Sequence, residues 1–397
     1  MGRAPLEGLK VLDLSNLLAG PMSTMHLADY GADVIKVEHP VKGDEMRAWG
    51  LKKDGVGLFF KVINRNKRTI TVNLATPKGQ SLVRRLAKEV DVVVENFRTG
   101  TLEQWGLGYD DLVLESPELI MVHLTGFGRT GPRAQDPGFG SLVEAYAGAA
   151  YINGHADREP LIQPFGLGDA SAAIFAAFAV MVAVFNRDQG GGGQDIDLAL
   201  YEGLYTMLGP QVINYDQLGT VQERYGADNP FVAPRGAFKT KDDHWVAVSG
   251  STQVTFERIC HSLDLGELLS DPRFATNEMR VMHGTELATF ISKAVGSRER
   301  DNVLSAAREN NATIGAVNNV ADTFDDPQMK ARENITTVDD DELGPIRMQN
   351  VAIRFNKTPG AIRHAGPRKG QYNDEIYRGQ LGIGEEDFTK LEQEGVI

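Results

Sequence analysis

Leu9-Lys-Val-Leu-Asp-Leu14 is a compact apolar run, followed at once by Ser15-Asn16 and by a helix opening at Ala19-Gly20-Pro21. The same unit recurs outward from it. Ala32–Glu38 (ADVIKVE), Thr69–Leu74 (TITVNL), Val90–Glu95 (VDVVVE) and Leu119–Thr125 (LIMVHLT) are further β-rich runs, and a helical pattern spans Pro77 to Lys88. Short Val- and Ile-rich strands alternating with helices are the pattern of parallel βαβ units. The expected fold class is therefore α/β, with an open, wound, Rossmann-like sheet in a large domain. Ligands gather at the carboxyl ends of such strands. Here those ends carry Ser15-Asn16, His39, Asn73, Asn96 and Thr125-Gly126, all small or polar.

Beyond Gly126 the chain is loop-rich as far as Gly168. Asp169 to Phe185 then carries no charge after its first residue, and apolar character all round predicts a helix buried inside a large protein. Asp197–Leu208 reads as another helix and 221–236 as a linker. Gly236–Lys241 with Asp243–Val248 reads as a hairpin, and Gln253–Leu263 and Leu287–Ala294 as helices. The expected domains are a large α/β part over 1–224, a small α+β domain over 225–330, and a return linker with the rest of the large domain over 331–397.

The 397 residues suit about two domains. With 41 Lys plus Arg against 54 Asp plus Glu, the net charge is −13, which argues against nucleic acid or an anionic membrane as partner. A single Cys260 forbids an intramolecular disulfide, and the first residues show no apolar signal-peptide stretch. A soluble, cytoplasmic, globular protein is the expectation.

Gly126-Phe-Gly-Arg-Thr-Gly131 fits G-x-G-x-x-G, but Pro132 and further loop follow where a dinucleotide site needs a helix. The eight His show no i, i+4 pair and there is no Cys cluster, so no metal is expected. Serine hydrolase chemistry lacks its G-x-S-x-G elbow. Asp169 is more informative. As a helix N-cap it would merely accept a backbone amide. An acid at a helix N-terminus, kept ionised by the dipole and approached through Gly-rich Pro164–Gly168, is also a setting for a carboxylate nucleophile. Both readings remain open on spacing alone.

One resemblance covers nearly the whole chain. Leu6–Ser15 with Ala19-Gly20-Pro21, Gly31–Glu38, Asn66-Lys67-Arg68 and Val94–Arg98 resemble family III CoA-transferases in order. So do Leu124–Gly128 with Thr130–Pro132, Gly168-Asp169, Asp325–Gln328, and Gly366–Arg368 with Asn373–Glu375. The resemblance implies an interlocked, ring-like homodimer that moves CoA from an acyl-CoA such as succinyl-CoA to a free carboxylic acid. It implies Asp169 as nucleophile, through aspartyl anhydride and aspartyl-CoA thioester intermediates, with no tightly bound cofactor. It also implies CoA contacts at Leu18, Ala19, His39, Val72, Asn73, Ala75, Asn96, Phe97, Arg98, Gln104, Gly138 and Phe139. Arg47, Trp49 and Phe59 fall at an acid pocket. Departures from the family pattern are His39 and Gln104 in place of Arg, and Gly140 where a carboxylate is common. An α-methylacyl-CoA racemase is the alternative on the same fold, although Asp136–Gly140 lacks the His base that such chemistry uses. A nicotinamide-dependent oxidoreductase is the more remote one.

Overall fold

The computed structural model describes residues 3–397. The chain divides into two compact units, the first comprising 1–149, 162–212 and 328–397, the second 150–161 and 213–327.

The first unit is built on a six-stranded, wholly parallel sheet. Its strands are β1 (Lys10–Asp13), β2 (Asp33–Glu38), β3 (Lys67–Thr71), β4 (Val92–Glu95), β5 (Ile120–Thr125) and β6 (Gln194–Ala199). They lie in the order β3-β2-β1-β4-β5-β6. That is the doubly wound order, whose direction reverses between β1 and β4, and a crevice opens at the carboxyl ends of those two strands. Leu12 pairs in register with Ile35 on one side and Val93 on the other.

Alternate strand residues face opposite layers. Leu12, Ile35, Ile70, Val93 and Met121 join a core with α2 (Pro77–Ala87) and with Ile376, Tyr377, Phe388 and Val396 from the end of the chain. Val11, Val34, Val92, Val94 and Val122 join a second core with α1 (Ala19–Asp29) and α4 (Leu167–Asn186). Burial on both faces explains why these strands read as unbroken apolar runs. Between α2 and α4 the chain forms the short α3 (Gly140–Tyr146), and α5 (Leu200–Met207) follows β6.

Two readings of the sequence need correction here. The expected helix over Asp197–Leu208 is split, with Gln194–Ala199 forming edge strand β6 and only Leu200–Met207 helical. Helix α4 is not covered all round. Its small residues Ala172, Ala173, Ala176 and Ala183 are buried, but Ile174, Phe178, Val182 and Phe185 are 59%, 65%, 51% and 70% exposed. One chain supplies neighbours for only one side of this helix.

In the second unit, strands Arg235–Lys239, Trp245–Ser249 and Ile314–Ala316 make a small antiparallel sheet. Phe256, Ile259, Leu287, Ile291 and Val303 pack beneath it. Residues 150–161, expected with the large domain, belong with this unit. Arg224 donates to the carbonyls of Tyr151 (2.9 Å) and His155 (3.3 Å), and Gly226 N donates to Gly154 O at 2.7 Å. Cys260 is buried in this core, where desolvation pushes its thiol up to about 12, so it is an inert packing group.

Candidate active site

The turn behind β1 is held by buried charges. Burial alone would raise the Asp13 carboxyl, but Lys36 and Lys67 beside it, with hydroxyl donors from Ser15 and Thr24, hold it down at about 2. Lys67 Nζ donates to Asp13 Oδ2 at 3.0 Å, to Pro21 O at 2.6 Å and to Asn64 Oδ1 at 2.9 Å. Lys36 Nζ meets Asp44 Oδ2 at 3.0 Å and donates to Ser15 O. Asp44 Oδ1 accepts the amides of Leu17 (3.0 Å) and Met46 (2.8 Å), fixing Leu17 at φ 64°. A left-handed Leu is strained, so this polar grip is what maintains the turn.

The turn behind β4 is tied to it. Asn96 Oδ1 accepts from Asn16 N and Asn96 Nδ2 donates to Asn16 O, each at 2.8 Å. Phe97 N donates to Glu95 Oε2 at 2.7 Å, and the Phe97 ring meets Trp105 edge-on at 5.6 Å. Glu95 also engages His123 on β5. Burial would depress that imidazole, but Asp195 and Glu95 on either side push it up to about 9.

Above these strand ends lies a cleft of about 1340 Å³, formed entirely by first-unit residues. Typical small-ligand pockets hold roughly 300–1,000 Å³, so this one suits a long ligand. Leu18, Ala19, His39, Val72, Asn73, Ala75, Asn96, Phe97, Arg98, Gly138 and Phe139 all line it, as do Trp49, Phe59 and Asp169. Gln104 and Arg47 are not part of this wall. Arg47 is committed elsewhere: Nε and Nη2 each donate to Glu38 at 2.7 Å, and its guanidinium lies 3.6 Å over the Phe60 ring. His39 Nδ1 accepts from Val41 N (3.1 Å) and Lys42 N (3.2 Å), closing a turn. Burial, then Lys42 and Lys369, push that imidazole down, so the ring is neutral. The exposed cations on the wall are Lys42 and Arg98.

Asp169 sits in the first turn of α4 rather than at its cap, which is Gly166. Its carboxylate occupies space that side chains would take. A Cβ on Gly140 would collide with Asp169 Oδ2, and one on Gly166 would stand 3.1 Å from it and 2.7 Å from Leu18 Cδ2. Burial first, and the Glu144 carboxylate second, push Asp169 up to about 6, despite the helix terminus. No cation pairs with it among the described residues. The dipole therefore loses to desolvation, contrary to the expectation from position alone.

Gly126 and Gly138 press backbone to backbone, where a Cβ on either would strike the other. Arg129 of the glycine-rich loop is bound by Asp195 at 2.8 Å, and its amide by Asp197 at 3.0 Å. That loop is a structural brace beside the cleft. Sequence reasoning missed Asp44, Glu95, His123 and Glu144; for Glu95 and His123 the signal available was a charge set inside an apolar strand, as in VDVVVE and LIMVHLT, and for Asp44 and Glu144 there was none.

The site is thus a long cleft at the sheet's switch point with a partly buried carboxylate, unpaired with any cation among the described residues, on its wall. The family model for CoA-transferase family III matches residues 6–373, and the chain belongs to that family. Succinyl-CoA–D-citramalate CoA-transferase of Chloroflexus aurantiacus is 41% identical over 394 residues, spanning 99% of this chain and 98% of that one. Human succinyl-CoA:glutarate CoA-transferase is 32% identical over 394 residues, spanning 99% and 90%. A CaiB/BaiF family protein from Brucella suis has a similar structure, with TM-score 0.85, 34% identity and coverage of 96% and 100%. Relatives named for CoA transfer do not favour the racemase or nicotinamide alternatives.

Proposed function

We propose that this CoA-transferase works through Asp169, with succinyl-CoA as donor and a short dicarboxylic acid as acceptor. The observation that carries the reading is a partly buried, cation-free carboxylate at the wall of the long cleft. The substrate class is supported by the names of the two relatives, both succinyl-CoA enzymes with dicarboxylic acceptors.

The Asp169 carboxylate attacks the thioester carbonyl, forming an aspartyl–acyl anhydride and expelling CoA thiolate. The thiolate attacks the aspartyl carbonyl, giving aspartyl-CoA thioester and releasing the donor carboxylate. The acceptor carboxylate then displaces CoA thiolate to form a second anhydride. Thiolate attack on the acceptor's carbonyl yields the new acyl-CoA and restores Asp169. Each bond made replaces one broken, so no net proton or energy source is consumed. Lys42 and Arg98 suit the phosphates of CoA. Leu18, Ala19, Val72, Asn73, Ala75, Asn96, Phe97, Gly138 and Phe139 supply a largely apolar or backbone-lined channel, while Trp49 and Phe59 size the acid pocket.

The exposed Ile174, Phe178, Val182 and Phe185 stripe supports a homodimer that covers α4. A reducing, cytoplasmic setting accords with the single buried thiol. The test is intact mass spectrometry after incubation with a panel of acyl-CoAs. A hydroxylamine-labile adduct on Asp169, absent from D169A, is expected, and an enzyme turning over without one would overturn the reading.

A further inference from the structure

Glu144 has no part in the steps above, yet it is the charged group nearest in chemistry to Asp169. It lies on α3, is 2% exposed, and lines the cleft. Both of its carboxylate oxygens meet backbone amides of the segment that delivers the nucleophile. Oε1 accepts from Gly168 N at 3.1 Å and Oε2 from Gln163 N at 3.3 Å. No cation neutralises it among the described residues. Helix α4 starts behind a glycine with no side-chain cap, so its first amides need an acceptor from elsewhere. Glu144 reaches across from the neighbouring helix to supply one, at the end of the helix where the dipole favours an anion.

This has a chemical consequence for Asp169. A carboxylate that collected such backbone amides itself would be stabilised, and so a poorer nucleophile. Here a second anion has taken the Gly168 amide, and Asp169 is left with its own backbone amide.

We propose that Glu144 is the positioning residue for the nucleophile: its buried carboxylate anchors the 163–168 approach and occupies the Gly168 amide in the first turn of α4, leaving Asp169 electron-rich. The proposal rests on the reading of Asp169 as nucleophile. Asp169 is already displaced upward in the direction that such a neighbour produces. Other charged groups on the packed elements are engaged elsewhere. On α1, Asp29 is bound by Arg65 at 2.6 Å, and His26 is held neutral by burial. On α5, Glu202 accepts Ala199 N at 3.0 Å. On β5 and β6, His123 and Asp195 pair at 2.9 Å, and Asp197 binds the Arg129 amide.

The test compares wild type with E144Q and E144D. The pH profile of kcat/KM for succinyl-CoA is measured alongside the Asp169 carboxyl titration, followed by 13C NMR with D169N identifying the signal. In E144Q, both the acid limb and the NMR midpoint should fall by about one pH unit, with kcat at neutral pH down about tenfold. KM for the CoA ester should change less than about twofold. E144D, which keeps the charge, should bring the midpoint back. An unmoved midpoint in E144Q, in an enzyme that still forms the Asp169 adduct, overturns this proposal alone. Absence of any Asp169 adduct in wild type removes the nucleophile reading and this proposal with it.

Discussion

Asp13 and Asp169 are two carboxylates of the same unit at the cleft end of the sheet, and their surroundings drive them in opposite directions. Asp13 is fully buried but sits between Lys36 and Lys67 with two hydroxyl donors, and is held at about 2. Asp169 is less enclosed, has no cation, faces another acid, and is pushed to about 6. Burial acts on both; compensation separates them. The compensated acid builds the turn, while the uncompensated one is the proposed nucleophile.

The widest separation should come from removing each in turn. D169A is expected to lower kcat by at least about a thousandfold, with no labile acyl adduct, while CoA binding by calorimetry persists. Retention of a tenth of wild-type activity would erase the distinction. D13N should act on the fold instead. It strands Lys36 and Lys67 in the interior, and urea unfolding should report a loss of about 3–5 kcal/mol.

A smaller effect has the opposite sign. Asp169 holds its proton more tightly folded than unfolded, so its ionisation costs stability. The cost is absent below about pH 3.8, grows up to about 6, and is fully present above. D169N should therefore be more stable than wild type at pH 7.5, by an amount of order 2 kcal/mol after discounting for partial exposure. Asp13 behaves inversely, its contribution being present above about 3.8 and lost as pH falls towards 2. Acid unfolding of D169N against wild type would expose the two slopes. The mildest perturbation is N96A, which removes the paired bonds to Asn16. A rise of about fivefold in KM for the CoA ester is expected, with kcat little changed, at about 1 kcal/mol for the lost bonds.

The parallel sheet was readable because its strands are buried on both faces. LKVLDL, ADVIKVE and VDVVVE are apolar for that reason, and their polar ends mark the cleft. Edge strand β6 escaped notice because QDIDLA carries acids facing outward and runs straight into a helix. Asp169 was legible through the apolar helix behind it, but its electrostatic state was not, because burial in the folded site and then Glu144 on another helix set it. A lone Glu in GSLVEAY announces nothing until the fold brings it to Gly168. Arg47 misled in the converse way. An Arg near an anion pocket invites a binding role, while Glu38 at alternate register in β2 had already claimed it.

The two bare backbones at Gly140 and Gly166 leave the Asp169 carboxylate no slack on its own side. Any added carbon there would evict the carboxylate before it altered what the enzyme accepts. A side chain at position 140, such as the carboxylate common in the family pattern, would therefore require the Asp169 carboxyl to swing to another rotamer, and the bare glycine here reserves that space for it.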